Sequence, residues 1–260
     1  MDGSQNVGVA LGLTLVAGLS TGIGSAIAYF IGHPRVVYLS FALGLSAGVM
    51  IYVSFMELLP SAIASVGEAT GVLFFFIGIA FIAMVDLLVP EPENPHNYEG
   101  LDEPEAIHHD DRQLMRTGVM TALAIGIHNV PEGLATFASA LSDVRLGTFI
   151  AIAIAIHNIP EGIAVSVPIF YATRSKNKAF SYSFLSGVAE PVGALLGYLV
   201  LMPFLTPGVQ AGTLAFVAGV MIYISLDELL PMAHRYGHGH LVISGIVLGM
   251  LVMAVSLLML

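Results

Sequence analysis

The chain has 260 residues, 57% of them hydrophobic and only 10% charged, with a net charge of −10 and no cysteine; its mean hydropathy is +0.89. A soluble domain carries about a quarter charged residues, so the composition excludes an ordinary soluble fold and points to spans of about 20 apolar residues in a bilayer. The missing cysteines exclude disulfides and thiolate metal sites, and eight scattered Lys/Arg exclude a nucleic-acid surface.

Eight apolar stretches follow in chain order: Val7–Ile31, Val36–Leu59, Val72–Val89, Leu114–Leu141, Gly147–Ala172, Ala179–Phe204, Gly212–Ala233 and Leu241–Leu260. The first lacks the basic region and small-residue cleavage pattern of a signal peptide, so it reads as a retained span. The expected fold is an all-α polytopic membrane protein whose eight transmembrane helices form one transport-sized domain over residues 1–260. Spans 1–3 fall in 1–89, spans 4 and 5 in 114–172, and spans 6–8 in 179–260. The connection Pro90–Gln113, rich in proline, acidic residues and histidine, cannot bury much apolar surface and is expected to be mobile.

Lys/Arg positions orient the spans. Arg35, Arg112, Arg116, Arg174, Lys176, Lys178 and Arg235 lie in or beside the connections after spans 1, 3, 5 and 7, and Arg145 alone lies on the other side. The excess of positive charge on the cytoplasmic side places both termini outside a cell membrane and the acidic connection in the cytoplasm.

The chain also repeats itself. Ala47-Gly-Val-Met-Ile-Tyr-Val-Ser-Phe-Met-Glu-Leu-Leu-Pro60 matches Ala218-Gly-Val-Met-Ile-Tyr-Ile-Ser-Leu-Asp-Glu-Leu-Leu-Pro231 at 11 of 14 positions, and Gly24…Tyr29 matches Gly193…Tyr198 more weakly. These matches relate span 2 to span 7 and span 1 to span 6, which cross in opposite directions. The pattern predicts a 3+2+3 order, two inverted three-helix bundles flanking a central pair, as in transporters with a site near the bilayer midplane.

The central pair carries a pentad written twice, His128-Asn129-Val130-Pro131-Glu132 and His157-Asn158-Ile159-Pro160-Glu161, each followed by glycine. Ionisable groups at this depth cost roughly 2.5–3.5 kcal/mol each on insertion scales and rarely lack a task. On a helix, His and Glu four apart share a face, and Asn and Glu three apart are neighbours. Pro131 and Pro160 remove a hydrogen bond and free the carbonyls of Ile127 and Ile156, which predicts kinks and extra acceptors. Two imidazoles and two carboxylates suit divalent first-row cations, Zn²⁺ by default, whereas Mg²⁺ and Ca²⁺ prefer all-oxygen shells. Glu190, followed by Pro191, adds a third carboxylate at membrane depth.

Further candidates are less specific. Glu57, Glu228 and Asp227 stand near span ends, where a solvated end charge and a gate are both open; Asp86 reads as interfacial or as part of an exit path. Met50 and Met221 read chiefly as packing, with Met50 kept as a pathway candidate. His96, His108, His109, His234, His238 and His240 fall in cytoplasmic connections, either simply solvated or capturing metal in passing. Gly44, Gly48, Gly193 and Gly197, spaced four apart, read as close helix packing.

His-Asn-X-Pro-Glu-Gly on two consecutive helices, the Glu-Leu-Leu-Pro ends and eight spans resemble the ZIP (Zrt/Irt-like) divalent-metal transporters, in particular their compact bacterial ZupT-like branch, over essentially the whole chain. The resemblance implies a binuclear midplane site, with one ion on His128, Glu132, His157 and Glu161 and the other on Asn129, Glu132, Asn158, Glu161 and Glu190. It also implies flow of Zn²⁺, with Fe²⁺, Mn²⁺, Co²⁺ and Cd²⁺ as further candidates, into the cytoplasm, no cofactor beyond the transported ion, and a homodimer. Some members carry glutamine and aspartate where this chain has His157 and Asn158. A metal-selective channel is the alternative transport reading. An intramembrane zinc protease is disfavoured, because His-Glu-X-X-His is absent and asparagine follows each pentad histidine.

Overall fold

The structure, a computed structural model, describes residues 3–31, 36–87, 111–201, 204, 206–235 and 239–259. Among the described residues nearly all are helical and there is no strand. The helices are α1 (Gly3–Ile31), α2 (Val36–Val53, continued through Ser54–Leu58 and Leu59–Val66), α3 (Glu68–Leu87), α4 (Asp111–Ser142), α5 (Val144–Thr173), α6 (Lys176–Leu201), α7 (Pro207–Ile224, continued through Ser225–Leu229 and Leu230–Arg235) and α8 (Gly239–Leu258). Seven of these, all but α4, are long and apolar enough to cross a membrane. The helix α4 has the length, but Asp111, Arg112 and Arg116 open it and a polar pentad lies at its centre, which dilutes its apolar content. The connection 90–110, with His96, His108 and His109, lies outside the described residues, as does His238.

One boundary differs from the sequence expectation because of the backbone before a proline. Span 2 is expected to end near Leu59, yet α2 runs on past Pro60 to Val66; span 7 is expected to pass Pro231 and end near Ala233, and α7 does so, ending at Arg235. Each proline is preceded by a π-helical turn, Ser54–Leu58 or Ser225–Leu229, in which the Leu59 or Leu230 N–H reaches back to Ser54 O or Ser225 O. The extra residue in the turn rephases the helix around the proline ring, so the helix does not have to stop. Only Gly67, at φ +85°, separates α2 from α3.

Packing divides the helices into four and four. The helices α1, α4, α5 and α6 pack on one another; α2 packs on α8, α3 packs on α7, α2 packs on α7, and the two groups meet through α2 on α5 and α4 on α7. The sequence triplets are thus not three-helix bundles: among the described residues α1 packs with α4, α5 and α6 and makes no extensive contact with α2 or α3. Among the described residues, each of these contacts has a counterpart under the exchange of α1 with α6, α2 with α7, α3 with α8 and α4 with α5. The outer helices are the most exposed: 22% of the most apolar window of α3 and of α8 is buried, against 72% of that of α5. Their exposed faces carry Leu73, Phe76, Val247 and Leu251, side chains suited to lipid.

Backbone contacts at glycine repeat the exchange. A Cβ on Gly133 of α4 would lie 1.9 Å from Glu190 O of α6, and one on Gly162 of α5 would lie 2.1 Å from Thr21 O of α1. Gly18 and Gly187, where α1 meets α6, each approach the other's carbonyl, at 2.6 and 2.5 Å from a Cβ so placed. Small residues let backbones approach where lipid offers no hydrophobic drive for association.

Gly162→Ala should therefore force α1 away from α5. Overpacking of this kind costs about 1–3 kcal/mol, read as a lowered midpoint in thermal unfolding of the detergent-solubilised chain. Gly12→Ala on α1, where a Cβ meets nothing within 4 Å, should leave the midpoint unchanged or raise it. Equal midpoints for both variants would contradict the close contact.

Candidate metal centre

One residue connects α4 to α5. Asp143 caps α5, its Oδ1 accepting from the N–H groups of Arg145 (2.7 Å) and Leu146 (3.1 Å). The turn sends α5 back along α4, and the two pack closely. Val130 lies 13 residues before Asp143 and Ile159 16 residues after it, so both pentads return to a similar depth, roughly 20 and roughly 24 Å from the turn at 1.5 Å per residue. Both helices continue unbroken through Pro131 and Pro160.

The pentads interlock across the pair. His128 Nε2 lies 3.2 Å from Glu161 Oε2, and His157 Nε2 lies 3.2 Å from Glu132 Oε1. Each histidine thus pairs with the carboxylate of the other helix rather than with the glutamate that shares its own helix face. All four side chains are at most 1% exposed, so the pairs are how these groups compensate one another away from water.

The asparagines use their amide nitrogens to anchor the flanking helices. Asn129 Nδ2 donates to Ser186 O of α6 (2.9 Å), and Asn158 Nδ2 donates to Ala17 O of α1 (3.0 Å) and to Glu190 Oε2 (2.8 Å). Their Oδ1 atoms, Glu132 Oε2 and Glu190 Oε1 are buried with no hydrogen-bond partner. Four orphaned acceptors and no orphaned amide donor form an environment that a cation satisfies and an anion does not. Among the described residues, no three His/Asp/Glu donors are gathered to metal-ligand spacing. The histidine–carboxylate pairs hold them, and an ion would have to open the pairs to bind.

The structure brings Glu190 and Glu228 to the pentads and leaves other candidates apart. Glu228 Oε2, in the π-helical turn of α7, is 3.9 Å from His128 Nδ1. Its counterpart Glu57 instead accepts from Ser61 Oγ at 2.9 Å. The Tyr223 hydroxyl donates to Asp86 Oδ2 over 3.5 Å and also reaches Asp227, which joins the ends of α3 and α7. Met50 and Met221 lie in the apolar core. His234 belongs to the helix Leu230–Arg235 rather than to a connection, its Nδ1 2.8 Å from Leu230 O, and His240 opens α8 with an exposed side chain. Sequence reasoning missed Ser46 of α2, whose Oγ donates to Glu161 Oε1 at 3.3 Å; no motif marks it, because its counterpart on α7 is Val217. It also missed Thr21, which the match of Gly24 to Gly193, extended by three residues, aligns with Glu190.

The family profile described as "ZIP Zinc transporter" matches residues 88–257. The chain is 57% identical to "Zinc transporter ZupT" of Chlorobium limicola over 98% of this chain and 99% of the relative. It is 54% identical to the protein of that name from Streptococcus mutans, again over 98% and 99%. The corresponding protein of Nitratidesulfovibrio vulgaris is 56% identical over 98% of both chains. With a buried His/Glu/Asn centre on two consecutive helices and likeness along the whole chain, the protein is a multi-pass membrane transporter rather than an enzyme, and belongs to the ZIP zinc transporter family.

Proposed function

We propose that the chain carries divalent transition-metal ions, Zn²⁺ first, into the cytoplasm through the α4–α5 centre, with all eight helices spanning the membrane in an inverted 3+2+3 order. The observation that carries this reading is the donor set: two imidazoles and three carboxylates, fully buried, beside orphaned amide and carboxylate oxygens. The relatives' name supports zinc as the cargo. One ion takes His128, His157, Glu132 and Glu161, a nitrogen–oxygen set suited to tetrahedral Zn²⁺. The other takes Asn129, Asn158, Glu132, Glu161 and Glu190, all oxygen. The glutamates are shared. The symmetric exchange of packing partners supports the inverted repeat, which puts the centre at the interface of the two halves, where transporters of this design bind their substrates.

The His–Glu pairs give the empty carrier its own stability. An arriving ion trades these pairs for metal bonds, and its charge offsets that of the carboxylates. A site that is neutralised either way can close around bound metal or without it at modest cost, as a carrier requires. Glu228, adjacent to His128, offers a carboxylate to an ion leaving on the side of α7, and Glu57 stands at the corresponding place on α2.

Removing a shared carboxylate should hurt more than removing a histidine. In proteoliposomes, Glu132→Ala is expected to lower zinc uptake by about tenfold or more, equivalent to about 1.4 kcal/mol, and His128→Ala by less. Equal uptake by Glu132→Ala and the parent at equal protein content would sink the shared-ligand reading. Saturating uptake marks a carrier, and uptake linear in metal marks a channel.

Protons compete with metal for the same imidazoles, which bind only when neutral. The apparent KM for zinc should therefore rise as pH falls from about 8 to about 6. A KM flat across that range would count against imidazole ligation.

Orientation has its own test, because no native cysteine interferes. Gly67→Cys, between α2 and α3, should react with an impermeant thiol reagent on intact cells, and Asn177→Cys, at the start of α6, should not. The reverse pattern would invert the direction of transport, and labelling of both would break the inverted repeat.

A further inference from the structure

The pseudo-two-fold relation is exact enough at the centre to show which residue is missing from it. With an offset of 169 residues it relates Gly18 to Gly187, Ala17 to Ser186, Gly24 to Gly193 and Thr21 to Glu190. The contacts obey the same rule. Asn158 donates to Ala17 O and Asn129 to Ser186 O. Gly162 approaches Thr21 O and Gly133 approaches Glu190 O. A Cβ on Gly18 would face Glu190 Cβ at 3.3 Å, and one on Gly187 would face Thr21 Cβ at 2.7 Å. Thr21 Cβ therefore occupies, on the α1 side, the place that Glu190 Cβ occupies on the α6 side.

Every other ligand of the all-oxygen subsite comes as a symmetric couple: Asn129 with Asn158, and Glu132 with Glu161. Glu190 alone faces a residue of another type. Thr21 is fully buried, and its Oγ1 has no hydrogen-bond partner, like Glu190 Oε1 and both asparagine Oδ1 atoms. A hydroxyl sits directly on Cβ, whereas a glutamate oxygen lies two bonds further out. The shortfall is close to one hydrogen-bond length, ~2.8 Å, and so to the width of a single water, which can bridge a buried polar group to a ligand at little cost.

We propose that Thr21 is a positioning residue of the all-oxygen subsite: its hydroxyl holds the water that fills a sixth ligand position opposite Glu190, and thereby sets which divalent ions the subsite accepts. The inference rests on the metal-carrier reading above and adds a basis for selectivity to it. Six oxygens in octahedral array suit Mn²⁺, whereas Zn²⁺ is content with four ligands. A fixed sixth ligand thus favours the octahedral ion, and its loss penalises that ion more than zinc.

The test is equilibrium binding of Mn²⁺ and of Zn²⁺ to the purified full chain in detergent. Thr21→Val keeps the shape and removes the hydroxyl; it should weaken Mn²⁺ binding by about tenfold, the usual effect of losing a group that orients a ligand, and zinc binding much less. Thr21→Ser restores the hydroxyl and should restore the parent's ratio of the two affinities. Thr21→Glu reaches the ion directly and should tighten Mn²⁺ binding. An unchanged ratio in Thr21→Val, or a valine-like ratio in Thr21→Ser, overturns the proposal while leaving the carrier reading intact. If the valine variant fails to fold, the serine and glutamate variants decide alone: both must behave as stated, or the proposal falls. A parent chain that binds neither metal overturns the carrier reading itself, and this inference with it.

Discussion

Five ionisable side chains are buried where water cannot solvate them, and the architecture follows from how four of them compensate one another. An unpaired buried carboxylate is far more costly than a paired one. Here the pairing crosses from α4 to α5 twice, His128 to Glu161 and His157 to Glu132. Both pentads must then reach one depth on antiparallel helices in close contact, which the single-residue turn at Asp143 provides. The asparagines beside the histidines extend the same economy of buried polar groups, spending their N–H donors on carbonyls of α1 and α6. Two helices thereby become a four-helix core held by polar contacts as well as by packing.

That core is also where glycine is indispensable. Carbonyl groups of α1 and α6 can reach the asparagine amides only if the backbones come close, and Gly162 and Gly133 permit the approach. The glycine that closes each pentad is thus part of the site without offering a ligand. A side chain there would move the outer carbonyl, leave an amide unsatisfied, and disturb the neighbouring histidine–carboxylate pair.

The central helices were legible in the sequence because their signal is local: a ligand-bearing pentad repeated in two apolar runs. The repeats between α2 and α7 and between α1 and α6 were legible because alignment of the chain with itself needs no structure. What stayed hidden depends on relations across helices. Helical spacing puts His128 beside Glu132, yet the histidine pairs with Glu161, because the neighbouring helix presents a carboxylate at the same level and on the facing side. The helical continuation past Pro60 was hidden because proline reads as a terminator, and only the backbone shows the π-helical turn that absorbs it. Ser46 carries no signal, since a buried serine on an apolar helix looks like a packing residue until Glu161 is found beside it. The grouping of helices into four and four, in place of bundles made of sequence neighbours, depends on which faces meet and leaves little trace in composition.

The two halves share a backbone design and diverge in charge towards the ends of α2 and α7. With an offset of 171 residues, Gly78 against Phe216 O corresponds to Gly249 against Leu45 O, so Asp86 on α3 corresponds to Leu257 on α8, Tyr223 to Tyr52, Asp227 to Met56 and Glu228 to Glu57. On the α3–α7 side, Asp86 and Asp227 gather about Tyr223, and Glu228 lies beside His128. On the α2–α8 side, Tyr52 and Leu257 pack against the apolar core, and Glu57 is held by Ser61. A cation at the centre therefore meets more negative charge towards α7 than towards α2. Symmetric backbones give the two flanks of the centre one geometry, and unequal side chains make those flanks energetically distinct for a cation.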